Sequence, residues 1–137
     1  MTEPRNRLRP TRSRFRLALL LAAVVLTGVA SRTALRGVPV VNKELGDVLW
    51  AAMFYLIVLM AFPRLRPAAA AGAALAISVG TELSQLYKAP WIESLRAKPV
   101  LGMLLGNVFA WHDVGCYVVG TAFAFGTDLV VRRRATW

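Results

Sequence analysis

Apolar runs separated by short basic or proline-bearing segments dominate the chain. The longest lie at residues 17–31, 45–62, 68–87 and 113–131. A helix crossing a bilayer needs about 20 mostly apolar residues, or somewhat fewer where flanking side chains reach back to the interface. Lipid offers no partner for a backbone N–H or C=O, so such runs must be helices. The pattern predicts an all-α integral membrane bundle of four antiparallel transmembrane helices forming one domain over 17–131. Pro63 and Pro67 bracket a tight turn between the second and third runs, Pro39 breaks the first loop, and Pro90 and Pro99 break the third. That third loop, 88–112, is not an ordinary polar connection. Its apolar stretch from Val100 to Trp111 is too short to span and suits an interfacial or re-entrant segment, so a structured outer loop is expected. Trp91 and Trp111 fit the aromatic belt at a membrane surface.

Composition agrees with this picture. Of 137 residues 57% are hydrophobic, and the mean hydropathy is +0.53. Both values exceed those of an ordinary soluble domain, and disordered chains are poor in apolar residues. The net charge of +10 would point to nucleic acid in a soluble chain. Here the arginines crowd the tails 1–16 and 132–137 instead, flanking the apolar runs as basic residues flank spans, and nucleic-acid binding is not expected. The tails and the 63–67 turn carry eleven Lys and Arg, the other two loops six. The bias places both termini in the cytoplasm of a cell with an inner membrane. The Arg-rich start followed by Gly28-Val29-Ala30 also fits a signal peptide cleaved after residue 30. A signal anchor is preferred because further spans follow directly. Cys116 is the only cysteine, which excludes an intramolecular disulfide and reads as a packed small residue.

Ionisable groups inside apolar runs are costly and therefore informative. Asp47 starts the second run, Glu82 lies near the end of the third, and Asp113 starts the fourth. In antiparallel helices all three fall at one, extracytoplasmic end. Glu82 is the deepest, roughly 8 Å below the interface at 1.5 Å per residue. Ser78, Glu82 and Gln85 share a helix face, as do Asp113, Tyr117, Gly120 and Ala124. The small residues of the second set would admit a close neighbouring helix. The candidate polar cluster is Asp47, Glu82, Gln85, Arg96, Asn107 and Asp113. Two readings compete. One is an outer-leaflet site that holds an anionic lipid headgroup through Arg96, binds a cation or relays protons. The other is structural, an ion pair such as Glu82 with Arg96 tying the loop to the helices. Asp128 reads as a partner for one of the arginines that follow it, and Trp50, Phe54 and Tyr55 as lipid-facing or packing residues. Gly102 and Gly106 form a GxxxG, and a homo-oligomer through such a motif stays open. No zinc spacing, nucleophile elbow or phosphate loop occurs, so no metal, cofactor or catalytic residue is assigned.

Together Gly46-Asp47-Val48-Leu49-Trp50-Ala51, Glu82-Leu83-Ser84-Gln85-Leu86-Tyr87, Ala89-Pro90-Trp91, Leu95-Arg96, and Trp111-His112-Asp113 with Tyr117 and Gly120 resemble a bacterial family of small four-span membrane proteins of unknown function. Its members are sometimes labelled ribosomal maturation YjgA-like, and the resemblance runs from about residue 40 to 125. More distantly, Glu82, Gln85 and Asp113 are similar to the acidic pattern of VanZ-like proteins, a Glu-x-x-Gln ending one span and an Asp opening the next. That resemblance implies an association with resistance to lipophilic glycopeptides such as teicoplanin. After Asp113 the chain departs from the VanZ-like pattern, with Cys116 and Tyr117 where an Asn is expected nearby. The leading expectation is a non-enzymatic membrane protein acting at the outer leaflet on envelope lipids. A small ion-coupled transporter component, an enzyme on a lipid-linked substrate, and a purely structural protein are the alternatives.

Overall fold

The structure, a computed structural model, describes residues 12–34, 37–106 and 108–134. Those residues form six helices and no strand: α1 (Arg14–Ala34), α2 (Pro39–Ala61), α3 (Pro67–Ser84), α4 (Pro90–Arg96), α5 (Pro99–Leu105) and α6 (Trp111–Arg134). Four of the six open on proline. The first N–H of a helix has no partner within the helix, and proline's fixed φ is already helical, so proline is favoured there. Pro39, Pro90 and Pro99, expected to break loops, therefore start helices. The second run accordingly begins six residues earlier than its hydropathy indicates, and the 88–112 loop contains two short helices.

Among the described residues three helices, not four, are long and apolar enough to cross a membrane: α1, α2 and α6. The expected third span, 68–87, is the exception. Its helix stops at Ser84, followed by a turn in which the Gln85, Leu86 and Tyr87 N–H groups donate to Glu82, Leu83 and Ser84 carbonyls. Its apolar length is mostly alanine, which adds little hydrophobic surface per residue, and it carries Glu82.

α2 is the central helix and packs against α1, α3 and α6, while α3 also packs against α6. The apolar core joins Leu17 of α1, Tyr55, Val58 and Leu59 of α2, and Ala70 and Ala74 of α3. On α3 the buried face reads Ala70, Ala74, Ser78, Glu82, one residue per turn. Its small side chains let the neighbouring backbones approach. Ser78 satisfies its buried hydroxyl by donating to the Ala74 carbonyl at 2.9 Å. Gly120 does the same for α2 and α6: a β-carbon there would overlap the Val48 carbonyl oxygen. Outside the bundle, large apolar side chains stay uncovered, including Phe15 (72% exposed), Leu26 and Phe123. In water so extensive a surface would aggregate; against acyl chains it is the ordinary exterior of a bundle.

Candidate functional site

The antiparallel order brings the end of α3 and the starts of α2 and α6 to one end of the bundle, as expected from the sequence. The acids divide there into two groups.

Glu82 centres the first group and is fully buried. Its carboxylate accepts three hydrogen bonds from three segments. The Gln85 amide nitrogen donates to Oε2 at 3.1 Å, and the Tyr117 hydroxyl donates to the same oxygen at 2.9 Å. The Ala110 N–H donates to Oε1 at 2.9 Å. Ala110 immediately precedes α6, so Glu82 lies where the dipole of that helix and its unpaired N–H groups favour negative charge. Gly106 lies against the Gln85 amide. That residue ends α5 at φ 66°, where glycine is free of strain, and it leaves no space for a β-carbon beside the Gln85 amide.

Arg96 does not join this carboxylate. It is buried, and its Nη1 donates to the Tyr87 carbonyl at 2.9 Å and to Glu93 Oε1 at 2.7 Å. Its Nη2 donates to the Ser84 carbonyl at 2.7 Å. The guanidinium thus sits on the carbonyl groups at and just beyond the C-terminus of α3, the end of a helix that attracts cations. The expected Glu82–Arg96 ion pair is therefore replaced by two separate caps. Arg96 serves the end of α3 and Glu82 the start of α6. Gly102 and Gly106 also lie within one chain's packing. A β-carbon on Gly102 would overlap the Arg96 carbonyl, and a seven-residue helix is too short for a spanning dimer motif.

The second group is a lysine between two aspartates. Lys43 pairs with Asp47 at 3.5 Å, one turn along α2, and with Asp113 at the start of α6. Beside it, His112 Nε2 lies 3.2 Å from Glu44 Oε1. Cys116 is buried, as expected of a packed small residue. Asn107, the remaining member of the expected cluster, lies outside the described residues. Trp91 and Trp111 are both exposed at this end, 60% and 77%.

A third polar group lies at the opposite end. Arg12 Nε and Nη2 donate to Asp128 Oδ1 and Oδ2 at 3.0 and 2.6 Å, and Tyr55 OH donates to Oδ2 at 2.7 Å. Arg12 Nη1 reaches the Pro63 and Leu65 carbonyls at 3.0 and 2.9 Å. Asp128 is thus paired from the start of the chain and not by the arginines after it. Of the two readings of Tyr55 the packing one holds: the ring lies in the core and its hydroxyl donates to Asp128. Sequence reasoning missed Arg12, Lys43 and Tyr55. Only the acids stood out against apolar runs, whereas Arg12 and Lys43 sit among other basic or polar residues.

Arg96→Ala should release α4. The Tyr87 carbonyl would lose the guanidinium and the Ser84 carbonyl would keep only the Tyr87 N–H, and a polar group stranded in this way costs about 1–3 kcal/mol. Hydrogen exchange of the amides at 91–98 should accelerate well before the bundle melts, and Arg96→Lys should restore only part of the protection because an ammonium lacks the guanidinium fork.

The fold and site define an all-helical protein with three helices long and apolar enough to cross a membrane and a buried carboxylate at one end. Residues 37–121 match the family described as Protein of unknown function (DUF2809), and the chain belongs to that family. The match covers α2 to the middle of α6, with every residue of the Glu82 and Lys43 groups. No solved structure matches the chain.

Proposed function

We propose that this is a non-enzymatic bacterial inner-membrane protein that works at the outer leaflet on envelope lipids, with a VanZ-like effect on glycopeptide susceptibility. The observation that carries this reading is the state of α4, α5 and the segment leading to α6. Glu82 and Arg96 hold this cover onto the bundle from beneath, while Trp91, Val100, Val108 and Trp111 stay exposed on it. An anchored cover with an aromatic and aliphatic outer surface suits the headgroup boundary of a bilayer.

The topology proposed with it has four passes and both termini in the cytoplasm. Connectivity supports the fourth pass: α2 ends at the Pro63–Pro67 turn, α6 starts at the other end, and α3 is the helix that returns between them. The basic tails and turn then fall on the cytoplasmic side. The structural alternative draws on the same caps, since Glu82 and Arg96 are each satisfied by helix termini.

Expression in a teicoplanin-sensitive Gram-positive host separates the two. The wild-type chain should raise the inhibitory concentration about fourfold or more, and Glu82→Gln at equal membrane abundance should not. Glutamine keeps the size of the side chain but removes the charge facing the start of α6. No resistance from an abundant wild-type protein would overturn the VanZ-like reading.

A further inference from the structure

At the end opposite Glu82, the start of α1 and the turn between α2 and α3 border an open basin of about 740 Å³. Arg12, Arg14 and Arg64 line its polar side, and Ala61, Phe62 and Leu65 its apolar side. The charges are not equivalent. Arg12 is largely covered and spent on Asp128 and on the Pro63 and Leu65 carbonyls. Asp128 is the only acid at this end among the described residues, since Glu44, Asp47, Glu82, Glu93 and Asp113 all lie at the other. With Asp128 already claimed by Arg12 and Tyr55, Arg14 and Arg64 are exposed and carry positive charge that no described carboxylate offsets.

Three features make this more than a charged surface. The Arg12 bonds tie the turn carrying Arg64 to the start of the helix carrying Arg14, so the two guanidinium groups stand on a braced frame. The basin lies where α1 begins and α2 ends, the level at which spanning helices meet headgroups. Phe15 and Phe62 are exposed beside the arginines, 72% and 63%, placing apolar rings next to cations as an amphiphile requires.

We propose that this basin binds the phosphate of an anionic membrane phospholipid, with Arg14 and Arg64 as its ligands and Phe62 against the start of an acyl chain. Guanidinium matches phosphate oxygens through paired N–H donors, and basic pockets at helix ends select anionic headgroups. The site is independent of the Glu82 end and of any effect on glycopeptides.

The test is native mass spectrometry of the full-length protein, delipidated in detergent and supplied with phosphatidylglycerol or phosphatidylcholine. Each basic residue near an anionic headgroup is worth roughly fivefold in binding. The Arg14→Gln, Arg64→Gln double variant should therefore retain phosphatidylglycerol about twenty-fold less than the wild type. Both side chains are exposed and outside the Arg12 pair, so the variant's thermal melt should match that of the wild type. A control with the same loss of charge elsewhere, Lys98→Gln with Arg134→Gln, should keep its lipid. Equal retention by the Arg14, Arg64 variant would overturn the proposal, as would equal retention of phosphatidylcholine by the wild type. Complete displacement of phosphatidylglycerol by excess inorganic phosphate would also overturn it, assigning the basin to a free anion.

Discussion

Gly120→Ala should destabilise the bundle by about 3 kcal/mol or more, the upper range for forcing a methyl into a packed interface. The reason is specific. At Gly120 the new carbon meets the Val48 carbonyl oxygen and the backbone behind it, and backbone cannot turn aside as a flexible side chain can. α2 and α6 would have to separate along the contact that also aligns Asp113 with Lys43. Gly115→Ala, five residues earlier on the same helix, is the matched control because its β-carbon meets nothing within 4 Å. Alanine in an open helical position gains about 0.5–1 kcal/mol over glycine. Melts in one detergent should therefore move in opposite directions for the two variants. Equal small shifts would show that the α2–α6 approach is looser than described here.

Arg12→Ala should cost about 3 kcal/mol, the lower end of the loss when one member of a buried ion pair is removed, since this pair is largely but not fully covered. Asp128 would keep only the Tyr55 hydroxyl, and the Pro63 and Leu65 carbonyls would lose their shared donor. The loss should be largely recovered when Asp128→Leu is added, because the second change removes the carboxylate that the first strands. A double-mutant cycle on detergent melts measures this coupling. Additive losses would mean that the pair is too well solvated to matter. Residue 12 lies in the segment that hydropathy assigns to a basic tail, and such a residue would ordinarily be expected to tolerate substitution.

Much of this architecture was legible in the order of residues. A run of apolar side chains in lipid has no choice but helix, so four helical runs could be located from hydropathy alone. Alternation of direction then placed Asp47, Glu82 and Asp113 at one end before any packing was known. The 3.6-residue period put Ser78, Glu82 and Gln85 on one face, and all three are buried. The same period marked Gly120 as a place of close approach. Hydropathy misjudged boundaries where proline opens a helix, because a proline that interrupts a pattern and one that starts a helix look alike in sequence. It also overrated the third run, where many alanines make a long helix but a weak span.

Partner choice belonged to the tertiary structure. Arg96 and Glu82 have opposite charges and lie 14 positions apart, which made an ion pair the natural expectation. Arg96 instead meets carbonyl groups at and beyond the end of α3, while Glu82 meets the Ala110 amide just before α6. Helix termini carry partial charges that no residue letter displays, and their positions depend on where each helix stops and which neighbour it faces. Asp128 likewise had three arginines close behind it in the chain, yet Arg12 reaches it because α1 starts at the level where α6 ends. Composition and periodicity determined that this chain is helical, largely apolar on the outside and polar at one buried end. Which charge meets which was decided by three-dimensional packing, because side-chain electrostatics act over a few ångströms of space and not along the sequence.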